Sequence, residues 1–141
     1  MEQRSEKEIL DVLFEAADKL PEQTVRIERL QLRITLRGLT SSRIDSIRER
    51  STEKRKVKGA TEEKLNAELF NATLIVESTV GLEVGGLTLT GWGDTRLTER
   101  MNASGGEQVV RRLLLAGELD AVGNQVIDLS GYGVDIEDIK N

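Results

Sequence analysis

Four glycines, Gly85, Gly86, Gly91 and Gly93, crowd one short stretch of the chain. Glycine at that density is what lets backbone amides close on a phosphate. A dinucleotide fingerprint needs GxGxxG between a strand and a helix. Gly91-Trp92-Gly93 begins that spacing, but Arg96 stands where the third glycine belongs, and no GK[ST] occurs anywhere. Tight turns or a mobile loop are the better reading, with Trp92 as a lid over the edge of the core. A second candidate is the basic run from Arg43 to Lys58, with Lys and Arg at spacings that suit phosphates. Asp45, Glu49 and Glu53 interrupt it and can pair with it, and no aromatic residue interleaves for base stacking. Arg26, Arg33 and Arg37 can read a groove, or they can guard the edge of a two-stranded sheet. Nucleic-acid binding therefore ranks below a solvated basic face or a protein-docking surface. The acidic pairs Glu62-Glu63 and Glu137-Asp138, and the lone Asp128, lack EF-hand spacing. Glu62 and Glu63 read more simply as acids at a helix N-terminus.

Composition narrows the chemistry further. The 141 residues include no histidine and no cysteine. That removes the commonest general base, the commonest transition-metal ligand, the thiolate nucleophile and the disulfide. No Ser-x-x-Lys or GxSxG motif appears. The expectation is no catalytic residue, no metal and no cofactor. Aromatics make up 3 % of the chain, so the core must be aliphatic. The net charge of −5 is unevenly spread: a basic segment runs from Val25 to Lys58, and from Leu113 onward Lys140 alone opposes six acids. The two halves can attract each other or meet a partner. The charged N-terminus has no signal-peptide core, and no apolar run is long enough for a membrane span, so a cytoplasmic location is expected.

The elements follow from periodicity and punctuation. Ser5 to Leu20 predicts a helix, capped by Ser5 with Glu8 three residues on, apolar at Ile9, Leu10, Leu13, Phe14 and Ala17, and stopped by Pro21. Residues 24–37 alternate as a β-hairpin, and the phase shift between Ile27 and Leu30 places its turn near Glu28 and Arg29. Thr40 or Ser41 caps a helix with Ile44 and Ile47 inward. STEKRKVKG is expected to fray or loop. A long central helix is expected from about Glu62 to Val80, with a stripe of Leu65, Leu69, Ala72, Thr73, Val76 and Val80. Residues 81–93 form a Gly-rich loop or insertion in which Leu87–Thr90 alternates like a short strand that can extend the hairpin. Asp94 caps a short helix to Met101, and Ser104 is available as the next cap. Val109, Val110, Leu113 and Leu114 mark a helix with Gly117 as its stop. Leu119, Val122, Val126, Ile127 and Leu129 mark another, with Gly131 as its C-cap. The fold class expected is α+β, mostly α: a small antiparallel hairpin, with room for a third short strand, packed with a bundle of about five helices. One domain over residues 1–141 suits this length, divided as helix 1–21, hairpin 24–37, two helices 40–80, loop 81–93 and C-terminal helices 94–141.

The order of these parts resembles the XkdN-like tail assembly chaperones of phages and prophages. The resemblance is carried by VRIERLQLRITLRGLTSSRIDSIRER, by KGATEEKLNAELFNATLIVESTV and by GEQVVRRLLLAGELDAVGNQVIDLSGY. LEVGGLTLTGWG departs from the pattern as an apparent insertion. The resemblance implies a non-enzymatic chaperone that binds the tape measure protein, keeps it soluble and helps recruit tail-tube subunits. It also implies a place in the bacterial host cytoplasm and absence from the finished virion. The alternative is a small basic-hairpin nucleic-acid or transcription-associated module. The candidate partner contacts are Val134, Ile136 and Ile139 in the acidic tail, Arg33 and Arg37 on the hairpin, and Trp92.

Overall fold

The computed structural model describes residues 4–132. In chain order the elements are α1 (Glu6–Asp18), β1 (Glu22–Ile27), β2 (Leu32–Arg37), α2 (Ser41–Arg50), β3 (Thr52–Val57), β4 (Ala60–Leu65), α3 (Ala67–Ser78), β5 (Thr79–Val84), β6 (Leu87–Leu89), α4 (Thr95–Met101), α5 (Gly106–Leu113) and α6 (Ala116–Ile127). A 3₁₀ turn, Glu28–Leu30, joins β1 to β2, and a π turn, Asp128–Tyr132, follows α6. The class is α+β with more helix than strand. Among the described residues there are six α-helices rather than about five, and two antiparallel sheets rather than one hairpin.

The first sheet has the order β1-β2-β5-β6. Its hairpin closes as the alternation predicts, with Ile27 opposite Leu32 and Glu22 opposite Arg37, and Gln31 turns the corner at φ 54°. The Gly-rich segment is an ordered part of this sheet. β5 pairs with β2, and β6 returns along β5 through Gly85 and Gly86, both at positive φ. Those two glycines therefore make a two-residue hairpin turn, the ordinary use of paired glycines between strands. One face of the sheet presents Leu32, Ile34, Leu36, Leu82 and Leu89 to the core.

The core closes around α3. Ala72, Leu74 and Ile75 are fully buried, and α3 packs against α2, α5, α6 and β2. Ile44 and Ile47 arrive from α2, Val109 and Val110 from α5, and Leu119, Val122 and Val126 from α6. The central helix is therefore where the sequence places it, but it is shorter and buried on more sides. Leu74 and Ile75 carry burial that the expected stripe misses, Leu65 lies on β4, and Val80 is exposed on β5.

Several expectations are corrected. STEKRKVKG does not fray: residues 52–57 pair with residues 60–65 as a second, two-stranded sheet. Lys58 and Gly59 turn it at φ 53° and 80°, the two positive values that a type I′ turn needs. Both faces of this hairpin meet solvent, so no apolar alternation marks it. Opposite charges face each other instead, Glu53 with Lys64, Lys54 with Glu63 and Arg55 with Glu62. Glu62 and Glu63 are thus strand residues, not helix-capping acids. The helix begins only after Asn66, whose side chain accepts from the Leu69 N–H at 3.0 Å. Gly117, too, does not stop a helix. The chain breaks at Leu114 and Leu115, and Gly117 lies in the first turn of α6. Likewise Gly105, not Ser104, precedes α5 as its N-cap.

Candidate protein-binding surfaces

The surface is organised by a few polar clamps that join distant parts of the chain. Arg29, in the 3₁₀ turn of the first hairpin, reaches across to the α5–α6 junction. Its Nε and Nη2 donate to Glu118 at 3.1 and 2.6 Å, and Nη2 also donates to the Leu113 carbonyl at 3.0 Å. Glu118 accepts in addition from the Leu115 N–H at 2.8 Å, which caps the first turn of α6. The Arg29 hydrogen bonds, and then the Leu115 amide, hold the Glu118 carboxyl below the usual carboxylate range, and Glu118 raises Arg29 in return. This is one place where the basic front half meets the acidic back half.

Asp94 closes the second clamp. It is almost fully buried and caps α4 through the Arg96 N–H at 2.9 Å. The Arg96 guanidinium binds both of its oxygens, at 3.0 and 2.8 Å, and the Thr90 N–H donates at 2.9 Å. Those bonds, the Arg96 side chain foremost, hold the Asp94 carboxyl well below the usual range. Arg96 also donates to the Thr88 carbonyl at 3.1 Å, which occupies a polar group of the edge strand β6. An ionised, salt-bridged Asp94 or Glu118 is a structural clamp, since a general acid or base needs a proton to exchange near neutral pH. Among the described residues no group of three or more His, Cys, Asp or Glu side chains is placed to hold a metal ion. No helix among them is long and apolar enough to cross a membrane.

The candidate contact residues fall in three different places. Arg33 and Arg37 project from the outer face of the first sheet, on either side of Thr35. Arg33 lies opposite Arg26 on β1 and Glu83 on β5, and Arg37 lies opposite Glu22. The Arg37 backbone is fixed by Ser78, whose Oγ accepts from its N–H at 3.2 Å and donates to its carbonyl at 2.6 Å. This is a polar, solvent-facing sheet surface of mixed charge. Trp92 is elsewhere, 2 % exposed, with Nε1 donating to Thr79 Oγ1 at 2.9 Å. It is a core residue that offers no surface to a partner, in keeping with its reading as a lid. Val134, Ile136 and Ile139 lie outside the described residues.

Among the described residues an extended apolar surface lies on α1. α1 forms as predicted, with Ser5 Oγ accepting from the Glu8 N–H at 3.2 Å. None of its residues is buried, however. Phe14 is 61 % exposed and Leu13 57 %, and Ile9, Leu10 and Val12 are exposed beside them. Periodicity shows that a helix has an apolar face. It does not show what covers that face. The β3–β4 hairpin is the second surface overlooked, exposed along nearly all of its length.

The family model for the phage XkdN-like tail assembly chaperone protein, TAC, matches residues 10–141. The chain belongs to that family. A role in phage tail assembly, with protein partners in the tail, follows from this membership. The family is one of assembly chaperones and not a known enzyme class. No curated protein matches this tail assembly chaperone. Among solved structures it is similar to the crystal structure of the protein yqbn, with a TM-score of 0.55 and 18 % sequence identity over 85 % of this chain and 94 % of that one. At that identity the likeness concerns the fold alone. For a tail assembly chaperone, the exposed face of α1, the charged hairpin and the outer sheet face are the surfaces available among the described residues to a protein partner.

Proposed function

We propose that this chain is a non-enzymatic chaperone that binds the tape measure protein of a phage tail, keeps it soluble, and helps recruit tail-tube subunits as the tail polymerises. The observation that carries the reading is the family match over residues 10–141. The exposed apolar face of α1 supports it, because a long coiled-coil-prone partner is kept soluble by covering its apolar stripe. The proposal treats residues 1–141 as one working unit that acts in the host cytoplasm and leaves before the virion is complete. Val134, Ile136 and Ile139 remain proposed contacts, with Arg33 and Arg37 as charged ones. Trp92 supports the scaffold from within.

The basic stretch lends less support to the nucleic-acid alternative than its sequence suggests. On the β3–β4 hairpin each of Lys54, Arg55 and Lys64 has an acid opposite it, so the surface is of mixed sign. Cations already paired with acids neutralise fewer phosphates, which weakens binding to a nucleic acid backbone.

Co-expression with the tape measure and tail-tube proteins encoded beside this chain, followed by size-exclusion chromatography, tests the reading. The expected result is soluble tape measure protein that co-elutes with the chain. Tape measure protein that stays insoluble while this chain elutes alone would overturn it.

A further inference from the structure

We propose that α1 is a docking arm for a helix of another protein, one whose apolar stripe is bordered by Lys and Arg. The inference rests on the protein-binding reading above and adds to it the element that binds and the chemistry of what it binds.

α1 is firmly specified as a helix, between the Ser5 cap and Pro21. Ile9, Leu13 and Ala17, and likewise Leu10 and Phe14, follow one another at four-residue spacing, so their side chains form a continuous apolar face. No part of the described fold covers it. A helix of 13 residues is marginal in water without such cover. The cover must therefore come from outside the described fold, and charge selects it. Within the helix Glu6, Glu8, Asp11, Glu15 and Asp18 stand against Lys7, with Arg4 before the cap and Lys19 as the C-cap, so the arm remains net acidic. A second copy of α1 brings the same excess of carboxylates. Residues 133–141 carry Asp135, Glu137 and Asp138 against Lys140, again the same sign. An anionic lipid surface attracts helices whose polar face is basic, the opposite of this one. A basic-bordered amphipathic helix of another protein satisfies both the apolar face and the carboxylates.

The test uses the full chain and two labelled peptides of equal length, a Leu/Lys heptad helix and its Leu/Glu counterpart, read by fluorescence anisotropy. The intact protein should bind the Leu/Lys peptide and not the Leu/Glu peptide. The double variant Leu13→Glu, Phe14→Glu alters two exposed side chains, so the fold should be retained by circular dichroism. It should bind the Leu/Lys peptide about tenfold or more weakly, from the lost burial of two large side chains. The variant is more acidic than the parent, so diffuse charge attraction predicts tighter binding instead. Equal or tighter binding by the variant would overturn the proposal. So would a dimer in sedimentation that the variant abolishes, or vesicle binding that it abolishes. Co-expression separates this proposal from the broader one. If the parent and the variant rescue tape measure protein equally, the arm is wrong and the chaperone reading stands. If neither rescues it while the peptide still binds through α1, the chaperone reading is wrong and the arm stands.

Discussion

Gly38 sits where the first sheet meets the end of α6, and it leaves no room for a side chain. A Cβ built there lies 2.4 Å from the Leu129 carbonyl oxygen and 3.0 Å from its carbon. Both are backbone atoms, so no rotamer change relieves the contact. The surroundings are tied down as well. The Gly38 N–H donates to the Pro21 carbonyl at 2.8 Å, the Leu39 N–H donates to Ser130 Oγ at 2.8 Å, and Ser130 Oγ donates back to the Val126 carbonyl at 2.7 Å. Gly38→Ala must therefore push the turn after α6 away from β2 by roughly 1 Å to restore ordinary contact, at the overpacking cost of about 1–3 kcal/mol. In a chain of this size that is a fall in Tm of about 4–10 °C. Thermal unfolding followed by circular dichroism reads it, with urea unfolding to confirm that the slope is unchanged. Gly93→Ala is the control, since a Cβ there meets nothing within 4 Å. If Gly38→Ala melts within about 2 °C of the parent, the close approach of α6 to the strand end is wrong.

Gly117→Ala should stabilise the protein by about 0.5–1 kcal/mol, because Gly117 is helical and its Cβ position is open; a fall in Tm would restore Gly117 as a helix stop. Thr79→Val removes the acceptor of the buried Trp92 indole N–H and should cost about 1–3 kcal/mol, whereas an unchanged urea midpoint would show that the indole has another partner. Asp94 has a folded-state pKa depressed below its unfolded value of about 3.9, so its stabilising contribution is complete above that value and is lost as the pH falls below it. The fall in Tm between pH 6 and pH 3 should therefore be smaller in Asp94→Asn than in the parent, and an equal fall would sink the assignment.

Much of the fold that faces the core was legible in the sequence, although the stripe of the central helix missed Leu74 and Ile75. Ile44 and Ile47 at helical spacing, the phase shift between Ile27 and Leu30, and the Asp94 cap each report a burial or a hydrogen bond that the structure contains. The charged hairpin was not legible, for a physical reason. Strand patterns are read from one buried face, and β3 and β4 bury neither. The remaining signals were the alternation of charge sign across Lys58-Gly59 and a Gly in the right place for a two-residue turn. The α5–α6 break escaped for a related reason. Gly117 is the obvious stop by residue type, but the break is made by the extended backbone of Leu114 and Leu115, and Glu118 and Arg29 stabilise it from the side. The Arg29–Glu118 pair spans most of the chain, and no local pattern announces it.

The candidate surface was the least legible, and α1 shows why. Its amphipathic pattern is stronger than that of α3 or α6, both core helices, and pattern alone does not tell it apart from them. Core helices here bring their apolar stripe to α3, as Val109 and Val110 do from α5 and Val122 and Val126 do from α6. α1 has no such neighbour. The difference between the two situations lies in the rest of the chain, because the volume around α3 is already filled by the sheet, α2, α5 and α6. An apolar helix left over after a core is complete marks a surface that another molecule completes. In an assembly chaperone that surplus is the feature to expect, since a protein that must cover a partner's apolar stripe has to keep an apolar stripe of its own in reserve.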